Sequence, residues 1–211
     1  MKYKGFIFDL DGVICFTDQF HYAAWKRMAD EIGVYFDEII NNRLRGVSRM
    51  ASLEIILERA DRAYTQEEKE ELATRKNAYY QKLLEQMSPA DLSDEVRLSL
   101  EKLRTSGCKL AIGSSSKNAK FILKQIGLEG YFDAISDGTN ITRSKPDPQV
   151  FLMAAQFLDL QPEECLVVED ALAGIDAAKD GGFAAAGLGE AAEYRRTDHP
   201  LASFGELCRL L

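Results

Sequence analysis

Gly5-Phe6-Ile7-Phe8-Asp9-Leu10-Asp11-Gly12 is a short apolar run that ends in two carboxylates and a glycine. Runs this brief, bounded by turn residues, read as strands buried on both faces of a parallel sheet. The same pattern recurs downstream. Leu110-Ala111-Ile112-Gly113 leads into three serines, Leu166-Val167-Val168 into Glu169-Asp170, and Phe183-Ala184-Ala185-Ala186 into Gly187. The intervening segments carry apolar residues at helical spacing, such as Val96, Leu100 and Leu103, or Phe151, Ala154, Ala155 and Leu158. Strands alternating with helices predict an α/β fold, a Rossmann-like doubly wound parallel sheet with helices on both faces.

One stretch breaks the alternation. Residues 17–87 hold no convincing strand. Phe20, Ala24, Met28 and Ile32 line one helical face, and Leu53, Ile56, Leu57 and Ala60 another. Thr65-Gln66-Glu67-Glu68 has the form of a capping box, opening a third helix through Leu72, Tyr79 and Leu83. Ser88-Pro89 closes the segment. An all-helical cap domain at 17–87, inserted into a core of 1–16 and 88–211, is the simplest organisation. It would lie over the carboxyl ends of the strands, where open α/β sheets bind ligands.

Composition narrows the partners. The 211 residues carry a net charge of −8 and are 46% hydrophobic and 28% charged, an ordinary globular balance. An acidic surface argues against nucleic acid or an anionic membrane as the main partner. No run approaches the roughly 18 apolar residues of a membrane helix, and the first apolar run is too short for a signal peptide. Cys15, Cys108, Cys165 and Cys208 are scattered without metal or redox spacing, which fits a cytoplasmic protein. Cys15 reads as a small filler residue.

The strand ends should share one crevice, so their polar groups can be read together. Asp9 and Asp11 stand two residues apart, with Gly12 permitting a tight turn. Alone, such a pair could cap an element or hold a metal. Glu169 and Asp170 add two carboxylates, which would repel unless a hard cation or a basic side chain neutralised them; oxygen ligands of this kind suit magnesium. Asp170 could equally cap a helix over 171–179. Lys145, in Ser144-Lys145-Pro146-Asp147-Pro148, is either a solvated loop lysine or a fixed ammonium for a phosphoryl group. Ser114 ends its strand before a helix start, where a hydroxyl and backbone N–H groups can receive phosphate oxygens. Gly113-Ser114-Ser115-Ser116-Lys117-Asn118 does not fit the P-loop pattern of an ATPase.

In this order, Asp-x-Asp, Ser, Lys-Pro and Glu-Asp resemble the four motifs of the haloacid dehalogenase superfamily. The resemblance implies that Asp9 is a nucleophile forming an aspartyl phosphate and that Asp11 is the general acid and base. It implies one Mg2+ held by Asp9, the Asp11 backbone carbonyl, Asp170 and Glu169, with Ser114 and Lys145 holding phosphoryl oxygens. Asp11 speaks against dehalogenation, which has no oxygen leaving group to protonate.

The chain resembles the β-phosphoglucomutase family more narrowly, and several of the matches fall in the helical segment. The matches fall at residues 17–25, Arg45-Gly46-Val47-Ser48-Arg49, Arg75-Lys76-Asn77, Ser88-Pro89-Ala90-Asp91, Ser116-Lys117-Asn118 and Gly130-Tyr131-Phe132-Asp133-Ala134-Ile135. This implies a small-molecule sugar phosphate as substrate and β-glucose 1,6-bisphosphate as priming intermediate. A bisphosphate used by either end needs a second phosphate site opposite Asp9. Arg49 with Ser48 would clamp the distal phosphate, because guanidinium matches phosphate bidentately. Ser116, Lys117 and Asn118 would complete the clamp, and Gly46 and Val47 would let backbone approach the sugar. Trp25 and Ser52 are expected to line the substrate, and His21 and Lys76 to couple sugar binding to Asp11. The plainer alternatives are a surface histidine at a helix start and a solvated lysine. Position 16, an aspartate in most relatives, is Phe16 here, at the expected hinge. A monomer is expected. Beyond Gly189 the chain matches the family poorly, and residues 201–211 read as a closing amphipathic helix.

Overall fold

The structure, a computed structural model, describes residues 2–44 and 47–211. Six parallel strands form one sheet: β1 (Gly5–Phe8), β2 (Lys109–Gly113), β3 (Ala134–Ser136), β4 (Cys165–Glu169), β5 (Ala184–Gly187) and β6 (His199–Pro200), in spatial order β3-β2-β1-β4-β5-β6. The chain winds outward from β1 to β3 and then returns to lay β4 against the other side of β1. That reversal opens a crevice beyond the carboxyl ends of β1 and β4. Phe8 aligns with Ile112 and with Val168, so Asp9 and Glu169 emerge side by side.

Both faces of the sheet are covered. Phe6 and Phe8 point into a layer with α5 (Asp94–Thr105) and α6 (Ala119–Gln125), and Ile7 points the other way, against α7 (Gln149–Phe157) and α8 (Leu172–Asp180). All three residues are fully buried, and burying a phenylalanine of this kind stabilises by roughly 2–3 kcal/mol. The segment between β1 and α5 forms α1 (Asp18–Glu31), α2 (Glu38–Asn42), α3 (Arg49–Leu57) and α4 (Gln66–Leu84), with an apolar cluster built on Trp25, Met28, Leu53, Ile56 and Leu72. The capping box at the start of α4 is formed: Glu68 N donates to Thr65 Oγ1 at 3.3 Å and Thr65 N to Glu68 Oε2 at 2.8 Å.

Three short elements went unread in the sequence, and two expectations need correcting. β3 and β6, of three and two residues, were too short to stand out as apolar runs. The five-residue α2 was equally inconspicuous. Residues 204–209 form a 3-10 helix rather than an α-helix, anchored by Phe204, whose ring lies 5.6 Å from that of Phe8, and by buried Leu207. Asp170 does not cap α8: the helix starts after Ala171 and has no side-chain cap. None of the four cysteines forms a disulfide, and Cys15 is fully buried. Among the described residues, no helix is long and apolar enough to cross a membrane.

Candidate active site

Each carboxylate in the crevice is set by the local chain. Asp9 follows the last residue of β1, its N–H donating to Val168 O at 3.0 Å, so its side chain leaves at the sheet's switch point. Gly12 makes the turn with φ +87°, and a Cβ there would stand 2.1 Å from Asp170 Oδ2. Glycine is needed twice over at this position, for the left-handed backbone and for the carboxylate packed upon it. Gly174 serves Glu169 likewise, since a Cβ would fall 1.9 Å from Glu169 Oε1. Carboxylate oxygens of Asp9, Glu169 and Asp170 all lie within 4.8 Å of one another.

Lys145 is no solvated loop residue. It is 4% exposed, donates to Asp9 Oδ1 at 2.5 Å and to Glu169 Oε1, and rests 4.7 Å above the Phe151 ring. The two carboxylates overcome the effect of burial and hold its ammonium well above the ordinary lysine range. The other Glu169 oxygen accepts from the amides of Asp170 and Ala171, both at 3.0 Å. Burial, followed by the charges of Glu169 and Asp9, pushes the Asp170 carboxyl well above the usual range. One ammonium therefore leaves the cluster short of positive charge. Three close oxygen donors and a carboxyl that resists ionisation fit a hard divalent cation.

Asp11 is held apart from these three. Thr17, the N-cap residue of α1, spends no hydroxyl on its helix and donates to Asp11 Oδ1 instead. The Tyr80 hydroxyl donates in turn to Thr17 Oγ1 at 3.2 Å. Burial first, and then the Asp9 charge, pushes the Asp11 carboxyl up to about 7. That value lets one group act as acid and as base near neutrality.

The connection runs on into the helical layer. The His21 ring lies against that of Tyr80, centroids 4.1 Å apart, and its Nδ1 is 3.0 Å from Lys76 Nζ. Burial, with the Lys76 and Arg49 cations, holds His21 neutral, so the lysine donates to it. Lys76, 2% exposed and brought down to about 7 by burial and by Arg49, sits over the rings of Trp25 and Tyr80. Trp25 is itself buried in the helical cluster and meets this group through Lys76.

A second group forms where the helices meet the loop after β2. Arg49 Nη2 donates to Asn77 Oδ1 at 2.8 Å, and Asn118 Nδ2 donates to the same oxygen at 3.0 Å. Arg49 has no carboxylate partner among the described residues, and burial lowers its pKa. Ser114 is 1% exposed; its Oγ accepts from Ser116 N at 3.1 Å, and Ser116 Oγ accepts from Asn118 N at 3.2 Å. Lys117 is exposed on this loop. Ser48 caps α3, accepting from Ala51 N at 3.2 Å, with Val47 half-buried before it and Ser52 buried one turn on. Gly46, expected at the sugar, lies outside the described residues together with Arg45.

Sequence reasoning missed Thr17, Tyr80 and Asn77 as members of these groups. Thr17 and Asn77 stood only inside matched stretches and Tyr80 was not singled out; only the fold brings Thr17 and Tyr80 to Asp11.

Comparison with known proteins gives a consistent picture. A family model for haloacid dehalogenase-like hydrolases matches residues 3–182. The chain is 44% identical over 189 residues to the β-phosphoglucomutase of Bacillus subtilis strain 168, covering 89% of this chain and 84% of that one. It is 34% identical over 187 residues to a fructose-1-phosphate phosphatase of Escherichia coli K12, covering 86% and 94%. The crystal structure of a β-phosphoglucomutase from Clostridium difficile superposes with a TM-score of 0.91 at 36% identity, covering 97% of this chain and 93% of that one.

Proposed function

This chain belongs to the haloacid dehalogenase-like hydrolase family, and from that premise we propose that it acts as a β-phosphoglucomutase. It interconverts β-D-glucose 1-phosphate and D-glucose 6-phosphate through an aspartyl-phosphate enzyme and β-glucose 1,6-bisphosphate. Residues 1–16 and 88–211 serve as the core and 17–87 as the cap.

Asp9 attacks phosphorus and carries the phosphoryl group, with Lys145 and Ser114 holding its oxygens. Asp11 gives its proton to the departing sugar oxygen and, once ionised, takes the proton of the hydroxyl that attacks the phosphoaspartate. Thr17 steadies the ionised form. Lys76 and His21 tie Asp11 to the cap, so that a seated sugar and a placed acid go together. Asp9, the Asp11 backbone carbonyl, Glu169 and Asp170 would hold magnesium, on which this family depends. When bound, the ion neutralises charge on the transferring group.

The observation that carries the mutase reading is Arg49. It is a half-buried cation with no carboxylate partner among the described residues, meeting Asn118 of the core at a single amide oxygen. A bisphosphate held by one end at Asp9 needs such a group for the other end, whereas hydrolysis of a simple ester does not. The test is product analysis. With β-glucose 1-phosphate, magnesium and a trace of bisphosphate, the expected product is glucose 6-phosphate with little free phosphate. Mainly inorganic phosphate would assign the chain to the sugar-phosphate phosphatases instead.

A further inference from the structure

Asn77 is an acceptor that the cap arginine and the core asparagine share. Its Oδ1 receives Arg49 Nη2 at 2.8 Å and Asn118 Nδ2 at 3.0 Å. Gln81, one turn further along α4, donates to Asn118 Oδ1 at 2.9 Å, so both ends of the Asn118 amide are held from the cap side. At the next turn Gln125 Nε2 donates to Leu84 O at 3.4 Å. One face of α4 is thus bonded to residues 118–125, and the contact at its amino-terminal end is the one that includes Arg49.

The chemistry of that acceptor matters. Three other arginines are oriented by carboxylates instead: Arg43 by Glu58, Arg62 by Glu68 and Arg196 by Asp176 and Asp180. A carboxylate fixes a guanidinium and also cancels its charge. A carboxamide oxygen supplies the direction and leaves the whole positive charge for an incoming anion. Because the same oxygen also takes Asn118, the cap arginine and the core asparagine are held at one point.

We propose that Asn77 is a positioning residue for the distal phosphate: a charge-neutral organiser that aims Arg49 and Asn118 at it when the cap meets the core. The inference rests on the mutase reading, since only a two-ended substrate requires this site. It predicts that the acceptor must be neutral as well as present. Asn77→Ala removes the acceptor, and Asn77→Asp keeps it in nearly the same shape but adds a negative charge beside Arg49.

The test compares a two-ended with a one-ended ligand. Dissociation constants for β-glucose 1,6-bisphosphate are measured by calorimetry in magnesium with each Asn77 variant carried on an Asp9→Asn background, which cannot take up the phosphoryl group. The KM for hydrolysis of acetyl phosphate, too short to span both sites, is measured in parallel, and thermal melts verify folding. Relative to acetyl phosphate, Asn77→Ala should weaken bisphosphate binding about three- to tenfold, as expected for a lost hydrogen bond. Asn77→Asp should weaken it on the order of fiftyfold, because a fixed charge a few ångströms from the phosphate opposes it at protein-like dielectric. The inference is overturned if Asn77→Asp binds the bisphosphate as tightly as Asn77→Ala, or if both ligands suffer equally. A wild-type chain that binds the bisphosphate but releases only inorganic phosphate from β-glucose 1-phosphate would refute the mutase reading separately.

Discussion

Replacing Thr17 by valine nearly preserves the volume of a residue with no exposed surface and removes a single hydroxyl. That hydroxyl donates to Asp11 Oδ1 and accepts from Tyr80. A hydrogen bond to a charged group contributes about 1.5–3 kcal/mol. With about 1.4 kcal/mol per pH unit, its loss should carry the Asp11 carboxyl from about 7 to about 8 or 9. The sign follows from which form is bound: the donor stabilises the carboxylate alone, so removing it favours the acid. In the mutase direction Asp11 must be ionised to accept the proton of the attacking hydroxyl. The rising limb of kcat against pH should therefore move to higher pH by about one to two units, with turnover at pH 6 down about 10- to 100-fold. The unpaired Tyr80 hydroxyl should also cost about 1–3 kcal/mol of stability. The assay is the pH profile of glucose 6-phosphate formation at saturating β-glucose 1-phosphate, read beside urea unfolding. A limb at the wild-type pH, with turnover within about twofold, would refute the role given to Thr17.

Three further outcomes follow from the same geometry. Gly12→Ala sets a methyl group against the Asp170 carboxylate on a backbone with positive φ; it should lower stability by about 1–3 kcal/mol and weaken magnesium binding, seen by melting with and without the ion. Lys145→Met leaves Asp9 and Glu169 buried without their shared ammonium; without magnesium it should lose about 3–5 kcal/mol, partly recovered when magnesium is added, and a loss below about 1 kcal/mol would contradict the charge balance described here. Magnesium affinity should fall as pH is lowered from about 8 to about 6, because Asp170 binds the ion only when ionised and its pKa is raised by burial and by Glu169; a flat titration by calorimetry would show that Asp170 is not a ligand.

How much of this could be read from sequence depended on length scale. Four strands announced themselves because a buried parallel strand must be apolar throughout and must end where the chain turns to polar groups. β3 and β6 did not, because Ala134–Ser136 and His199–Pro200 are defined by pairing with neighbours rather than by a run of their own. The capping box of α4 was legible because it is a contact between near neighbours in sequence. The closing segment misled because Phe204 and Leu207 have helical spacing, yet the chain there is a short 3-10 turn. Asp9, Asp11, Glu169 and Asp170 could be gathered on paper, since strand ends of a doubly wound sheet converge by topology, whereas Lys145, in the loop beyond β3, was placed with them by the resemblance to the haloacid dehalogenase motifs. The Thr17–Tyr80 pair and the Asn77 oxygen could not. Their partners lie 63, 28 and 41 residues away, and nothing in a threonine, a tyrosine or an asparagine marks it for such a role. Phe16, at the proposed hinge, presents a ring that is 72% exposed, and nothing in the structure explains it.

Esterification of Asp9 is the central chemical step, and rapid quenching tests it most directly. The wild-type chain is mixed with β-glucose 1,6-bisphosphate and magnesium, stopped in acid, digested and mapped by mass spectrometry. A phosphoryl group on the peptide 5–12, localised to Asp9 and absent from Asp9→Asn, is the predicted result. A phosphoryl group on any other residue, or undiminished glucose 6-phosphate formation by Asp9→Asn, would contradict it.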